Sequence, residues 1–209
     1  MFPQLTLEGR HVRLEPLSLA HVPALCTAAS GPRETYRLTF VPDGEEAMRR
    51  YVEEALALRV AGAAVPLATV WLPDARVVGS TRFGNLEYWR WPDGARSPPQ
   101  PPDAAEIGWT WLAADAQRTA VNTEAKLLML GHAFETWRVR RVNLRTDARN
   151  LRSRAAIERL GARLDGILRA HMPGADGAVR DTATYSLLAD EWPAVKNRLI
   201  ERLEPASRP

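Results

Sequence analysis

The sequence predicts an α/β protein with a mixed central sheet of about seven strands flanked by helices. Two observations lead there. Short alternating or β-branched runs take turns along the chain with longer stretches whose apolar residues recur at helical spacing. The last two strand-like runs flank the turn Pro173-Gly174-Ala175-Asp176-Gly177, which makes them a hairpin and brings antiparallel pairing into the sheet.

The elements follow in order. Residues 11–16 (HVRLEP) alternate as a strand, and Ser18 caps a helix carrying Val22, Leu25 and Cys26, which Gly31 and Pro32 end. A second helix runs from about Glu45 to Ala61, with Met48, Val52, Ala55, Leu56 and Arg59 along one side. Residues 65–72 and 77–88 form a hairpin about Pro73-Asp74, the second strand interrupted by Gly79 and Gly84. Residues 92–103 hold five prolines in twelve positions and cannot join a ladder, so they read as an extended, solvated loop. In the strand 104–112, Ile107, Trp109 and Trp111 fall on one face and Glu106, Gly108 and Thr110 on the other. A helix from about 123 to 137 stacks Ala125, Leu128, Met129, His132 and Ala133 on one stripe. A strand 140–147, a helix 150–160, the hairpin strands 162–171 and 179–188, and a helix from Asp190 to about Glu204 complete the chain.

Composition narrows the function. At 209 residues one domain is expected, and 45% hydrophobic with 25% charged residues is ordinary for a soluble protein. No apolar run approaches the ~20 residues that span a bilayer. The opening MFPQLTLEGR lacks both regions of a secretory signal. Cys26 is the single cysteine, which rules out an internal disulfide and fits a reducing, cytoplasmic setting. The net charge is +3, and only Lys126 and Lys196 of the 28 basic residues are lysine. The arginines are scattered among nearly as many acids rather than gathered in a stripe, so no direct nucleic-acid partner is expected. His11, His21 and His171 show no metal-site spacing, and no metal is expected.

The stretch Glu106–Gly161 carries the chemistry. A strand (EIGWTWL) feeds a short polar loop that opens directly into a helix, which turns free main-chain N–H groups toward one spot suited to a pyrophosphate. The loop is Gln117-Arg118-Thr119-Ala120-Val121-Asn122, with Thr123 beginning the helix; Asn122 is a candidate cap. Farther on, Asn150 and Ser153 stand at i, i+3 and so share one face of a helix start.

These pieces in this order resemble the GNAT superfamily of acetyl-CoA-dependent N-acetyltransferases. The closer likeness is to the branch that acetylates N-terminal amines of ribosomal and other proteins. LEGRHVRLEPL looks like that branch's opening strand, VVGSTRF like its third and EIGWTWL like its fourth. NLRSRAAIERLGA looks like its Asn-plus-Ser helix, and DGILR with RDTATYSLLADEWP like its closing hairpin. The likeness runs from about residue 5 to 204. It implies a single-domain GNAT-type fold over 1–209, with the coenzyme-binding region at about 104–165 and the sheet splayed between the fourth and fifth strands, here 104–112 and 140–147.

The resemblance also implies roles. The loop and first helical turn, Gln117 to Thr123, hold the coenzyme phosphates, with Arg118 either adding charge or remaining a solvated loop cation. The pantetheine arm lies along the backbone of Trp109, Thr110, Trp111 and Leu112 like an added strand, and N–H groups beside a bulge in that strand face the thioester oxygen. The two tryptophan side chains read as core or slot wall. Asn150 contacts the coenzyme or caps its helix, and Ser153 donates the proton to the departing thiolate. Glu106 stands where some relatives place a carboxylate base, with Asp165 as another candidate; an α-amine, of pKa ~8, can also arrive neutral. His132 reads as a packed core histidine.

The chain departs from the family pattern in three places. The phosphate loop usually reads Q/R-x-x-G-x-G/A, but Ala120 and Asn122 stand at its small-residue positions, and Ile157 occupies the place where many members carry a tyrosine acid. The expected activity is acetyl transfer from acetyl-CoA to a primary amine, most often a protein or peptide N-terminus. A small amine as acceptor, a non-catalytic acyl-CoA sensor and a plain scaffold are the alternatives, and a homodimer is compatible with tryptophans 71, 89 and 91.

Overall fold

A computed structural model describes residues 4–92 and 101–204. Its described strands form one eight-stranded sheet, one more than expected. The additional strand is β1 (Leu7–Glu8), two residues too short to show a periodicity. The others are β2 (Val12–Pro16), β3 (Val65–Trp71), β4 (Arg76–Glu87), β5 (Ala104–Leu112), β6 (Arg141–Asp147), β7 (Arg163–Pro173) and β8 (Val179–Leu188), in the order β1-β2-β3-β4-β5-β6-β8-β7. Every pairing is antiparallel except β5 with β6.

The helices are α1 (Val22–Ala29), α2 (Glu45–Val60), α3 (Ala120–Gly131), α4 (Leu151–Arg159) and α5 (Trp192–Leu203). Helix α2 begins with Glu45 and Glu46, acids that favour the positive end of the helix dipole, and buries Met48, Val52 and Ala55 at i, i+4 and i+7. The two faces of β4 show how the layers are divided. Ser80 and Arg82 face α2: Tyr51 Oη donates to Ser80 Oγ at 3.3 Å and the Arg82 guanidinium lies over the Tyr51 ring. Thr81 and Phe83 face the opposite layer, meeting Met129 and His132. One continuous core joins both layers, with Leu14, Leu67, Phe83, Met129 and Tyr185 fully buried. Burying such side chains stabilises the fold by roughly 1.5–3 kcal/mol each.

Several expectations need correction. Helix α3 starts at Ala120, not near 123, because Thr119 is its cap: Thr119 Oγ1 accepts the Val121 N–H at 3.2 Å. Asn122 therefore lies inside the first turn and does not cap it. The helix stops at Gly131 and passes into a π-helical turn, His132–Thr136. Most of the proline-rich stretch lies outside the described residues, but its end is not solvated. Asp103 is 2% exposed and accepts the Trp89 N–H at 2.9 Å and the Trp91 indole N–H at 3.1 Å.

Candidate active site

The parallel pair is short. Residues Ala104, Ala105 and Glu106 of β5 pair with Arg141, Val142 and Asn143 of β6, and there the ladder ends. Beyond Glu106 and Asn143 the two strands run on without pairing, so the sheet forks, as expected between strands 104–112 and 140–147. Both strands end in a turn leading to a helix, so the starts of α3 and α4 flank the open end of the fork.

A bulge lies within β5. Ser80 pairs with Trp111 and Arg82 with Gly108, so two residues of β5 are fitted against Thr81. Trp109 takes a left-handed φ of 50°, which breaks the strict alternation the sequence predicted: Ile107 and Trp111 are buried while Trp109 is 41% exposed. The Trp109 ring rests on Gly84, where a Cβ would come within 2.6 Å of it, so the glycine is needed for this approach. Gly79 serves a similar end, since a Cβ there would stand 2.0 Å from the Trp111 carbonyl oxygen. Thr110 and Thr81 share a hydroxyl contact of 2.8 Å, and buried Lys126 Nζ donates to Thr110 Oγ1 at 2.7 Å and to Thr81 Oγ1 at 3.3 Å. Burial brings the Lys126 pKa down to about 7.

The loop between β5 and α3 is held from within. Gln117 Nε2 donates to the Leu112 carbonyl at 2.9 Å, which also accepts from buried Tyr36 Oη at 3.0 Å. Gln117 Oε1 accepts from Thr35 Oγ1 at 2.6 Å and from Arg152 Nη1 at 3.2 Å. Because Gln117 follows β5 and Arg152 lies in α4 after β6, that last contact spans the fork's open end. Arg118 is exposed and left-handed, with φ 63°. Among the described residues the main-chain N–H groups of Ala120 and Asn122 have no acceptor, as the geometry of a helix start requires. Val121 is buried, while Ala120, Asn122 and Thr123 are half-buried.

Asn150 caps α4, its Oδ1 accepting the Ser153 N–H at 3.0 Å. Ser153 is half-buried at the start of that helix. Glu106 is 6% exposed and sits where the fork begins. Its Oε2 accepts from Asn85 Nδ2 at 2.8 Å and lies 3.3 Å from Arg145 Nε. Asp165, by contrast, is on the edge strand β7, where it accepts from Ser186 Oγ at 2.7 Å, three strands from β5. His132 packs against Phe83 and Trp137, and burial lowers its pKa. Among the described residues no cluster of His, Cys, Asp and Glu is arranged to hold a metal ion.

Two cavities adjoin this region. The larger, about 490 Å³, lies between α1, the β3–β4 turn and residues 113–115, and contains none of the expected site residues. The smaller, about 170 Å³, is lined by Arg82, Gly84, Asn85 and Trp109, and so lies beside Glu106. Sequence reasoning missed Arg82, Asn85, Lys126 and Arg152. Arg82 and Arg152 stand inside two of the segments that carry the family likeness, VVGSTRF and NLRSRAAIERLGA, but no spacing sets them apart from their neighbours, and Asn85 and Lys126 lie outside those segments.

A forked mixed sheet with a bulged strand beside a loop that opens into a helix is the architecture of an acetyltransferase domain. The description "Acetyltransferase (GNAT) domain" matches residues 11–163. A crystal structure of a putative acetyltransferase from T. thermophilus is 38% identical, with TM-score 0.77, covering 98% of this chain and 99% of that one. A GCN5-related N-acetyltransferase from Brucella melitensis is 28% identical, with TM-score 0.82, covering 97% and 87%. A Bacillus subtilis protein named "Putative ribosomal N-acetyltransferase YdaF" is 29% identical over 163 residues, 78% of this chain and 74% of its own length. The chain belongs to the GNAT acetyltransferases and is an N-acetyltransferase that draws its acetyl group from acetyl-CoA.

Proposed function

We propose that the protein transfers the acetyl group of acetyl-CoA to the N-terminal α-amine of a protein or peptide, by direct attack in a ternary complex. The observation that carries this reading is the fork beyond Glu106 and Asn143, whose open end is bordered by unsatisfied N–H groups of α3. The named function of the Bacillus subtilis relative supports the choice of acceptor.

The residues divide the work as follows. The N–H groups of Ala120 and Asn122 hold the pyrophosphate, with Arg118 beside them and the loop shaped by Gln117, Thr119, Val121 and Thr123. Alanine at 120 leaves that approach open, as glycine would. The unpaired edge of Trp109, Thr110 and Trp111 takes the pantetheine arm, while the Leu112 carbonyl already serves Tyr36 and Gln117. Asn150 both caps α4 and reaches the coenzyme. The amine nitrogen forms a bond to the acetyl carbon as the carbon–sulfur bond breaks. Glu106 takes the amine proton, directly or through water, and Ser153 gives one to the sulfur and regains a proton through solvent as Glu106 releases its own. No metal takes part, the cytoplasm is the setting, and neither membrane nor nucleic acid is a partner.

The test is thiol release from acetyl-CoA with a panel of peptides and small amines. Peptides with free α-amines are expected to be turned over, and their N-acetylated forms not. Turnover restricted to small amines would overturn the acceptor. In calorimetry Ala120→Glu should abolish coenzyme binding, since its carboxylate would stand where phosphate binds; unchanged affinity would place the coenzyme elsewhere.

A further inference from the structure

Arg82 is 3% exposed, yet among the described residues its side chain has neither a hydrogen bond nor an ion pair. Other arginines near the site have carboxylates: Arg145 has Glu106, Arg141 has Glu87, and Arg149 has Asp147 and Asp176. The Arg82 guanidinium instead lies between two aromatic rings, 5.1 Å from the Tyr51 centroid and 5.2 Å from that of Trp109. Its Nε is buried without an acceptor. Ring faces attract a cation by about 0.5–2 kcal/mol each, which does not match the several kcal/mol that removing an ion from water costs. An anion would supply the missing partner, and the side chain lines the cavity of about 170 Å³ described above.

That cavity has a polar and an apolar part. Arg82 and Asn85 supply donors, and Leu58, Ala63 and Leu86 line the rest. Asn85 also donates to Glu106 Oε2, so one wall of the cavity is one hydrogen bond from the proposed base. At about 170 Å³ the space is many times the ~10–15 Å³ that a single water requires, so it admits a small polar group. A carboxylate on a short stem fits this size and lining. A phosphate dianion fits poorly, because the single arginine would have to offset two charges with the Glu106 side chain close by.

We infer that this cavity is an acceptor subsite that binds a carboxylate through Arg82 while the acceptor's amine lies toward Glu106. The inference rests on the acetyl-transfer reading and narrows its acceptor: an α-amine with a carboxylate nearby. Two sources share that chemistry, an acidic side chain in the first residues of a peptide and the α-carboxylate of a free amino acid. The guanidinium's planar fork can donate two parallel bonds to either. The rings of Tyr51 and Trp109 fix its plane, so the recognition is pre-organised.

The experiment compares acceptors in pairs with the full chain: short peptides identical except for Asp against Asn at the second or third position, and free amino acids against their amides. In the wild type the carboxylate member should be favoured at least about tenfold in kcat/KM, mainly through KM, as a charge-assisted hydrogen bond in a buried site implies. Arg82→Met should remove that preference and leave coenzyme affinity, measured by calorimetry, unchanged. Equal rates for Asp and Asn peptides and for amino acids and amides overturn the inference even if Arg82→Met does not fold, because that comparison needs only the wild type. A preference that persists in Arg82→Met overturns it as well. If peptides are acetylated without regard to acids, the subsite falls and the peptide reading stands. If only free amino acids are acetylated, and through Arg82, the subsite stands and the peptide reading falls. If no α-amine is turned over, both fall.

Discussion

Asn150 accepts the main-chain N–H of Ser153 at 3.0 Å, so the two residues the sequence marks as a pair at the start of α4 are joined to each other by a cap. This gives Asn150 a structural task beside its proposed coenzyme contact, and the two can be separated. Asn150→Ala should cost about 1 kcal/mol of stability, as loss of an N-cap does, and so lower Tm by about 2–4 °C. Asn150→Ser restores a capping oxygen but has a shorter reach. It should recover Tm while coenzyme affinity stays weakened. If the serine variant recovers both in thermal denaturation and calorimetry, Asn150 is only a cap.

Glu124 shows a buried carboxylate used for the fold. From α3 it accepts the N–H groups of Arg10, His11 and Val12 at 2.9, 2.6 and 2.8 Å, tying the helix to the turn between β1 and β2. Gly9 makes room, since a Cβ there would lie 2.5 Å from the Glu124 carboxyl carbon. Glu124→Ala leaves three N–H groups without an acceptor, two of them beside the buried start of β2. The expected loss is about 3 kcal/mol or more. Urea unfolding should show it as a lower midpoint at unchanged slope, and hydrogen exchange should quicken at His11 and Val12. A variant within about 0.5 kcal/mol of wild type would mean the turn rearranges to satisfy itself.

Which features were legible in the sequence follows from their range. The apolar face of α2 and the hairpin β7–β8 are local patterns, and local patterns can be read from spacing. The fork between β5 and β6 came from the resemblance, because nothing in either strand alone tells where parallel pairing stops. Three errors share one cause. The start of α3, the cap at Thr119 and the face of Trp109 each depend on a single residue's backbone or side-chain geometry, which periodicity averages over. Thr119 and Asn122 are both good caps on composition, and only the fold decides between them. Arg82 was invisible for the opposite reason: its significance is that its side chain has no hydrogen-bonding or ionic partner among the described residues, and such partners come from other elements.

Lys126 makes a prediction with a definite sign. It lies within α3, 5% exposed, and among the described residues its Nζ meets two threonine hydroxyls and no carboxylate. Glu124, two residues earlier, is engaged with the β1–β2 turn. Desolvation disfavours the charged ammonium, and the pKa falls from the usual 10.5 to about 7. Between about pH 7 and 10 the unfolded chain therefore binds a proton at this site that the folded chain does not, and a state that binds fewer protons gains as pH rises. Stability from this group should increase through that window, by about 1.4 kcal/mol per pH unit at most, and level off above it. Lys126→Met keeps the apolar stem and removes the titration. The measurement is urea unfolding of both proteins at several pH values from about 6 to 11, a range that brackets the shift, with the difference in free energy plotted against pH. The variant should gain over wild type at the acid end and lose that advantage as pH climbs through the window. Parallel curves would mean that Lys126 keeps its ordinary pKa, with its charge accommodated by Thr110 and Thr81 inside the fold.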